Sequence, residues 1–272
     1  HPETRVFRGL AVVLPMAHLV ATRFKRVWAL DAAHLPSDWP EGRLLLLAAQ
    51  DWDKTNVLFA AAIVDSECAE NYGWFLEQIR QIPAVDAILH DRDSPLAIIS
   101  DRGQVVSAAL STYVPRVVQR HCTKQLIGNV QAMLRAGGLP IPRQVEDLMW
   151  ALQAAPTAED YRVLFESLRR QFPEAARFLE TSIEPSKWTV WASPVPMYGI
   201  RTSNMVEEEN APAFIPREAS SPLEVIDELL LAMLSRLQSN SEAAKKAASL
   251  QPGTALCPAP AKFVERETAQ SA

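Results

Sequence analysis

Cysteine is scarce in this chain: Cys68, Cys122 and Cys257 stand far apart in the sequence. An odd, sparse set argues against a disulfide framework and fits a reducing compartment. No Cys-x-x-Cys pair occurs, so there is no basis for a zinc ribbon. A long apolar run is missing too. The longest near the start, Gly9 to Thr22, is interrupted by Pro15 and His18. It falls short of the roughly 20 apolar residues that a membrane span needs. A signal-peptide cleavage pattern is also lacking, and a soluble, intracellular protein without a membrane partner is expected. Basic charge is not in excess: 27 Lys and Arg face 32 Asp and Glu, a net charge of −5. A nucleic-acid binder draws affinity from neutralising phosphates. Any such surface here must therefore be local, or lie in a segment outside this chain. The first residue is His1, from which a fragment lacking an N-terminal domain is expected.

What is present suffices for a folded core. The 272 residues are 48% hydrophobic and 22% charged, which suits one large domain or one domain with an insertion. Residues 26–31 read as a strand ending in Asp31. Residues 43–50 and 56–64 are two more apolar strands, and the polar stretch 51–55 between them makes a hairpin. From Glu70 to Ile82 the apolar residues fall on one helical face, with Pro83 marking the end. Residues 96–100 form a short buried strand that runs straight into Asp101. Residues 105–113 suit a helix and 116–121 a fifth strand. Beyond Cys122, residues 123–182 carry helical patterns broken by Gly137-Gly138 and by Pro140, Pro142, Pro156 and Pro173. Residues 222–237 suit an amphipathic helix, and the Ala-, Ser-, Lys- and Pro-rich stretch after Ser239 reads as disordered. No internal repeat occurs.

Antiparallel strands followed by strand–helix alternation predict an α/β mixed sheet with helices on both faces. That order fits an RNase H-like sheet with an all-helical insertion before a last helix. The expected organisation is a lead-in over 1–25, a core over 26–122 and 186–237, a helical insertion over 123–185 and a tail over 238–272.

Two strand-end acids point to chemistry. Phosphodiester cleavage needs an activated nucleophile and a stabilised leaving oxygen, and two divalent ions supply both. Mg²⁺ takes hard oxygen ligands and keeps several waters, so few carboxylates suffice. If the strands bearing Asp31 and Asp101 are neighbours, both carboxylates emerge at one edge of the sheet, and Glu207 is a candidate third acid. Each has a plain structural alternative. Asp101-Arg102-Gly103 suits a turn. Asn204 with Glu207 suits a capping box, and Glu207-Glu208-Glu209 a solvated helix face.

The segment from Trp28 to Phe75 resembles the Mutator-like (MULE) transposase domain. Asp31 is followed by His34, then by strands leading to Asp53 and Glu67, then by Trp74-Phe75. Ile98 to Gly103 is similar to that family's second-aspartate motif. Pro185 to Trp188 and Tyr198 to Asn210 are similar to its third. The likeness covers about residues 5–235. It implies a DDE transposase core in which Asp31, Asp101 and Glu207 hold two Mg²⁺ or Mn²⁺ ions. It further implies His34, Cys122 and Asn210 nearby as supporting residues, DNA ends and target as partners, a homo-oligomer on DNA, and the nucleus. Two positions depart from the pattern. Ala32 stands where the family has Gly, and Gln125 stands where its Cys-x-x-His has His. Glutamine cannot take part in proton transfer as histidine does. A transposase-derived domain that binds DNA or protein without cutting is therefore the alternative, and an unrelated α/β metal enzyme is a third.

Asp53 and Glu67 read as structural, capping a turn and a strand end. Trp150, Trp188 and Trp191 suit a helical core, with stacking on bases as the other reading. Arg116, Arg120, Lys124 and Arg135 form one basic set that suits phosphate contacts. Arg162, Arg169, Arg170 and Arg177 read as helix-surface charge.

Overall fold

The computed structural model describes residues 9–35, 42–207, 221, 224–231, 233–235, 238 and 242. Six strands form one mixed sheet in the order β1-β4-β3-β2-β5-β6. They are β1 (Gly9–Val13), β2 (Val27–His34), β3 (Arg43–Gln50), β4 (Asn56–Val64), β5 (Ala97–Ser100) and β6 (Val118–His121). The first four pair antiparallel, and β2–β5 and β5–β6 pair parallel. The expectation of a mixed sheet flanked by helices holds.

The β3–β4 connection turns tightly because Asp51 Oδ1 accepts from the amides of Asp53 and Thr55, both at 2.8 Å. Asp51 therefore caps the turn, and Lys54 takes a positive φ of 67° within it. The parallel β2–β5 pair is fixed at its start. Ala97 donates to the Arg26 carbonyl at 3.0 Å, and Arg26 pairs with Asp91 at 2.7 Å.

The strands read as near-continuous apolar runs because both faces are covered. On one face Trp28, Leu30, Leu45, Leu47 and Ile98 pack under α1 (Ala17–Arg23), α2 (Ala69–Arg80), α3 (Pro83–Leu89) and α4 (Gln104–Tyr113). Trp28 meets Phe59 edge-on at 5.0 Å between centroids. Helix α2 approaches α4 so closely that a Cβ on Gly73 would sit 2.1 Å from the Tyr113 ring. On the other face Val27, Ala29, Leu46, Ile63 and Ile99 pack under Met205 and Val206 of α9 (Asn204–Glu207). The helical residues 224–231 cover the same face through Val225, Ile226 and Leu229, at the place where an amphipathic helix was expected.

Two expectations change. Residues 9–23, read as a lead-in, supply strand β1 and helix α1 to the core. The interruptions at Pro15 and His18 are the strand-to-helix turn and an exposed helical position. Pro83 ends one helix but also opens another, α3, as its first-turn proline.

Helices α5 (Thr123–Ala136), α6 (Arg143–Ala154), α7 (Ala158–Gln171) and α8 (Pro173–Ser182) surround an apolar cluster of their own. Trp188 closes that cluster, buried to 2% exposure. Tyr161 lies between the rings of Phe165, Trp188 and Trp191. Trp188 is thus a core residue. Arg162 and Arg169 pair with Glu159, Glu166 and Glu180 on the helix surface, as surface charge would. Among the described residues no helix is long and apolar enough to cross a membrane.

Candidate active site at the end of two parallel strands

Strands β2 and β5 are adjacent and parallel, with Val27 beside Ala97 and Ala29 beside Ile99. Two further residues along each strand lie Asp31 and Asp101. Side chains alternate across a strand, so Asp31 shares a face with Val27 and Ala29, which belong to the cluster beneath α9. Asp101 follows directly on the end of β5, beside β2. One expectation is corrected: Asp31 does not end its strand. Strand β2 runs on to His34, and Asp31 is paired across from Leu46.

The carboxylates are held differently. Asp31 Oδ1 accepts from the amide of Ala32 at 2.9 Å. Asp101 Oδ1 accepts from the amide of Gly103 at 3.0 Å. A Cβ on Gly103 would stand 3.0 to 3.1 Å from the two Asp101 oxygens, so a glycine there lets the carboxylate fold over the loop. The turn reading of residues 101–103 is thus realised, and it orients Asp101 as well.

Negative charge collects here. The Tyr72 hydroxyl donates to Glu67 Oε1 at 3.2 Å, and Glu67 also lies 3.7 Å from Arg43. Burial pushes the Tyr72 phenol well above its ordinary range. The charges of Glu67, Asp101 and Asp31 push it further the same way, so one phenol feels all three carboxylates. Tyr72 escaped the sequence reading because its spacing marks only the apolar face of α2. Glu67, read there as a strand-end residue, is tied to that phenol.

The supporting residues diverge. His34 is exposed and lies at an odd separation from Asp31, so the pleat directs it to the other face. Cys122 is fully buried in the apolar cluster at the start of α5, and its amide donates to the Ser100 carbonyl at 2.9 Å. His121 Nδ1 lies 3.3 Å from the Asp101 carbonyl, and burial holds its imidazole below the ordinary range. The side chain of Glu207 and the whole of Asn210 lie outside the described residues. The backbone of α9, which ends at Glu207, packs over β2, β3 and β4. Asn204 is the first helical residue rather than the one preceding the helix, and its Oδ1 accepts from Lys124 Nζ at 3.2 Å. Among the described residues no three His, Cys, Asp or Glu side chains come together as a metal cluster.

An open cleft of about 450 Å³ borders Asp101 and is lined also by Arg102, Gly103, Gln125 and Asn129. Gln125 Oε1 is buried there with no hydrogen-bond partner. Arg102 is anchored on the cleft wall, donating to the Ser182 carbonyl at 2.9 Å and lying over the Phe178 ring. Arg120, expected among phosphate-binding residues, is instead 2% exposed. It donates to the carbonyls of Ser186 and Thr189. That tether joins β6 to the 3-10 turn Pro185–Lys187, at the head of the segment leading to α9.

Residues 27–129 match the MULE transposase domain. The match begins with β2 and ends within α5. It holds Asp31, Asp101, Cys122 and Gln125, and stops short of Glu207. No curated protein matches the chain.

Proposed function

We propose that this chain, which belongs through residues 27–129 to the MULE transposase domain family, is a metal-dependent DNA strand-cleaving and strand-transfer core. One observation carries the reading: β2 and β5 are adjacent and parallel with Ala29 beside Ile99, and Asp31 and Asp101 each follow two residues further along the chain. The strand order supports an RNase H-like sheet, with four antiparallel strands followed by two that join in parallel. Helices α5–α8, with their separate apolar cluster, would be an insertion into it.

The donor set fits divalent ions of the Mg²⁺ or Mn²⁺ class, which prefer carboxylate oxygen. Asp31 and Asp101 would hold them, with Glu207 as third acid from the end of α9. Such ions, when bound, supply a nucleophile at neutral pH and stabilise the leaving oxygen. The chain's own part is to fix Asp31 within β2 and Asp101 just past the end of β5, and to keep Asp101 oriented through the Gly103 amide. The partners would be the ends of a mobile DNA element and its target, the working form a homo-oligomer on DNA, and the compartment the nucleus.

Calorimetric titration of Mn²⁺ into the wild type and Asp101→Asn tests this directly. Binding in the wild type, lost in the variant, is the expected result. If the wild type binds nothing even with a short DNA duplex present, the metal reading is wrong.

A second reading has its own observation. Gln125 borders Asp101 where the family resemblance expects histidine, and an amide does not ionise near neutral pH and so cannot serve as a general acid or base. On that reading the domain binds DNA without cutting it. Gln125→His separates the two. If the glutamine has silenced the site, the histidine variant nicks DNA with a pH dependence near the imidazole range while the wild type does not. Equal nicking by both proteins would remove the second reading.

A further inference from the structure

A larger cleft, of about 600 Å³, opens at the hairpin end of the sheet, between the β3–β4 turn, the helical block and residues 198–205. It is separate from the paired aspartates. Gln50 on its wall stands four residues along β3 from Leu46, the partner of Asp31, or about 13 Å along the strand. Lys54, Lys124 and Arg201 line it, all three exposed. One acid, Glu146, faces them, and its carboxylate accepts from the Trp150 indole at 3.4 Å. In a chain of net charge −5 this is a local reversal of sign.

Tyr198 stands at the cleft with a positive φ of 51°, followed by Gly199 at 77°. The turn is closed by the Ile200 amide donating to the Met197 carbonyl at 2.8 Å. Such a pair of left-handed residues favours Gly or Asn, so a tyrosine in the first place is strained. The strain sets an exposed ring against Trp52, edge-on at 5.2 Å. Trp52 is itself fixed, its indole donating to the Arg23 carbonyl at 2.9 Å. The two rings stay 44% and 40% exposed, so each keeps aromatic surface open beyond their edge-on contact.

We propose that this cleft binds an unpaired DNA strand, with bases stacking on Tyr198 and phosphates contacting Lys54, Lys124 and Arg201. Fixed aromatic rings beside a basic groove are what single-strand binding uses, because every base has a face to stack. A duplex keeps those faces hidden, so it would gain only the phosphate contacts. The proposal rests on DNA being the substrate, but not on cleavage.

The test is fluorescence anisotropy of the full chain with a labelled thymidine oligonucleotide, in EDTA so that metal plays no part. A hairpin duplex of equal charge is the competitor. Tyr198→Asn suits the left-handed backbone and removes the ring. It is expected to bind the oligonucleotide about tenfold more weakly while melting no lower than the wild type. Lys54→Gln with Arg201→Gln is expected to reduce the salt slope by about 1.4, at about 0.7 per cation. No binding by the wild type, equal binding of the duplex, or an unchanged affinity in Tyr198→Asn would each overturn the proposal. Strand cleavage with intact binding by Tyr198→Asn sinks this proposal alone. Loss of binding in that variant, from a wild type that never cleaves, sinks only the cleavage reading.

Discussion

Asp31→Asn and Asp101→Asn are each expected to slow metal-dependent strand nicking by about three orders of magnitude. A metal-bound transition state is stabilised by several kcal/mol, and each 1.36 kcal/mol is tenfold in rate. Asparagine keeps the size of the side chain and one oxygen, so the sheet should tolerate both changes. The folded state argues the same way. Asp31 Oδ1 and Asp101 Oδ1 each accept one backbone amide, and an asparagine carbonyl serves that purpose equally. Because the two acids would act as one unit, the double variant should lose little more than either single one. Nicking kinetics in Mn²⁺, with thermal melting as the folding control, measure this. Single losses that multiply in the double variant would mean independent roles and no shared ion. A rate unchanged in either single variant would remove that acid from the site.

The sequence reading carried far where local pattern decides the outcome. Apolar runs placed β2 to β6, and the polar interval 51–55 marked the hairpin. The sequence set Asp31 and Asp101 at one sheet edge only on the condition that their strands were neighbours, and the β2–β5 pairing supplies that condition. What escaped it depends on tertiary context. Strand β1 is only five residues long and lies at the sheet edge, so it leaves no distinct periodic signal. Strand β2 continues through Asp31 because β3 pairs with it as far as His34, and a polar residue within a strand reads as its end. Arg120 looked like a phosphate contact because nothing local says that carbonyls 66 and 69 residues away will bury it. Tyr72 belongs with the acids only once α2 is laid across the sheet.

Arg120→Ala is expected to destabilise the fold by about 2–4 kcal/mol, the largest stability effect of a single change proposed here. The guanidinium is buried without an acidic partner among the described residues, and burial pushes it down to about 10. At neutral pH it therefore remains charged and carries a desolvation cost. Two carbonyl contacts, at Ser186 and Thr189, offset that cost. Truncation removes the charge but leaves both carbonyls without their donor and a void where the buried guanidinium stood. The orphaned acceptors and the void outweigh the relief. Urea unfolding measures the shift, and a change under about 0.5 kcal/mol, the usual range for an uninvolved surface position, would show that the tether is inert. Arg120→Lys should recover only part of the loss, since a single ammonium cannot present the planar fork that reaches both carbonyls. The position of the tether gives it a second consequence. It fastens β6, the neighbour of the Asp101 strand, to the chain leading towards α9 and Glu207. If Glu207 completes the metal site, Arg120→Lys should lose more nicking than its stability loss explains at a temperature where it is fully folded. Nicking that merely tracks the folded fraction would assign Arg120 to stability alone.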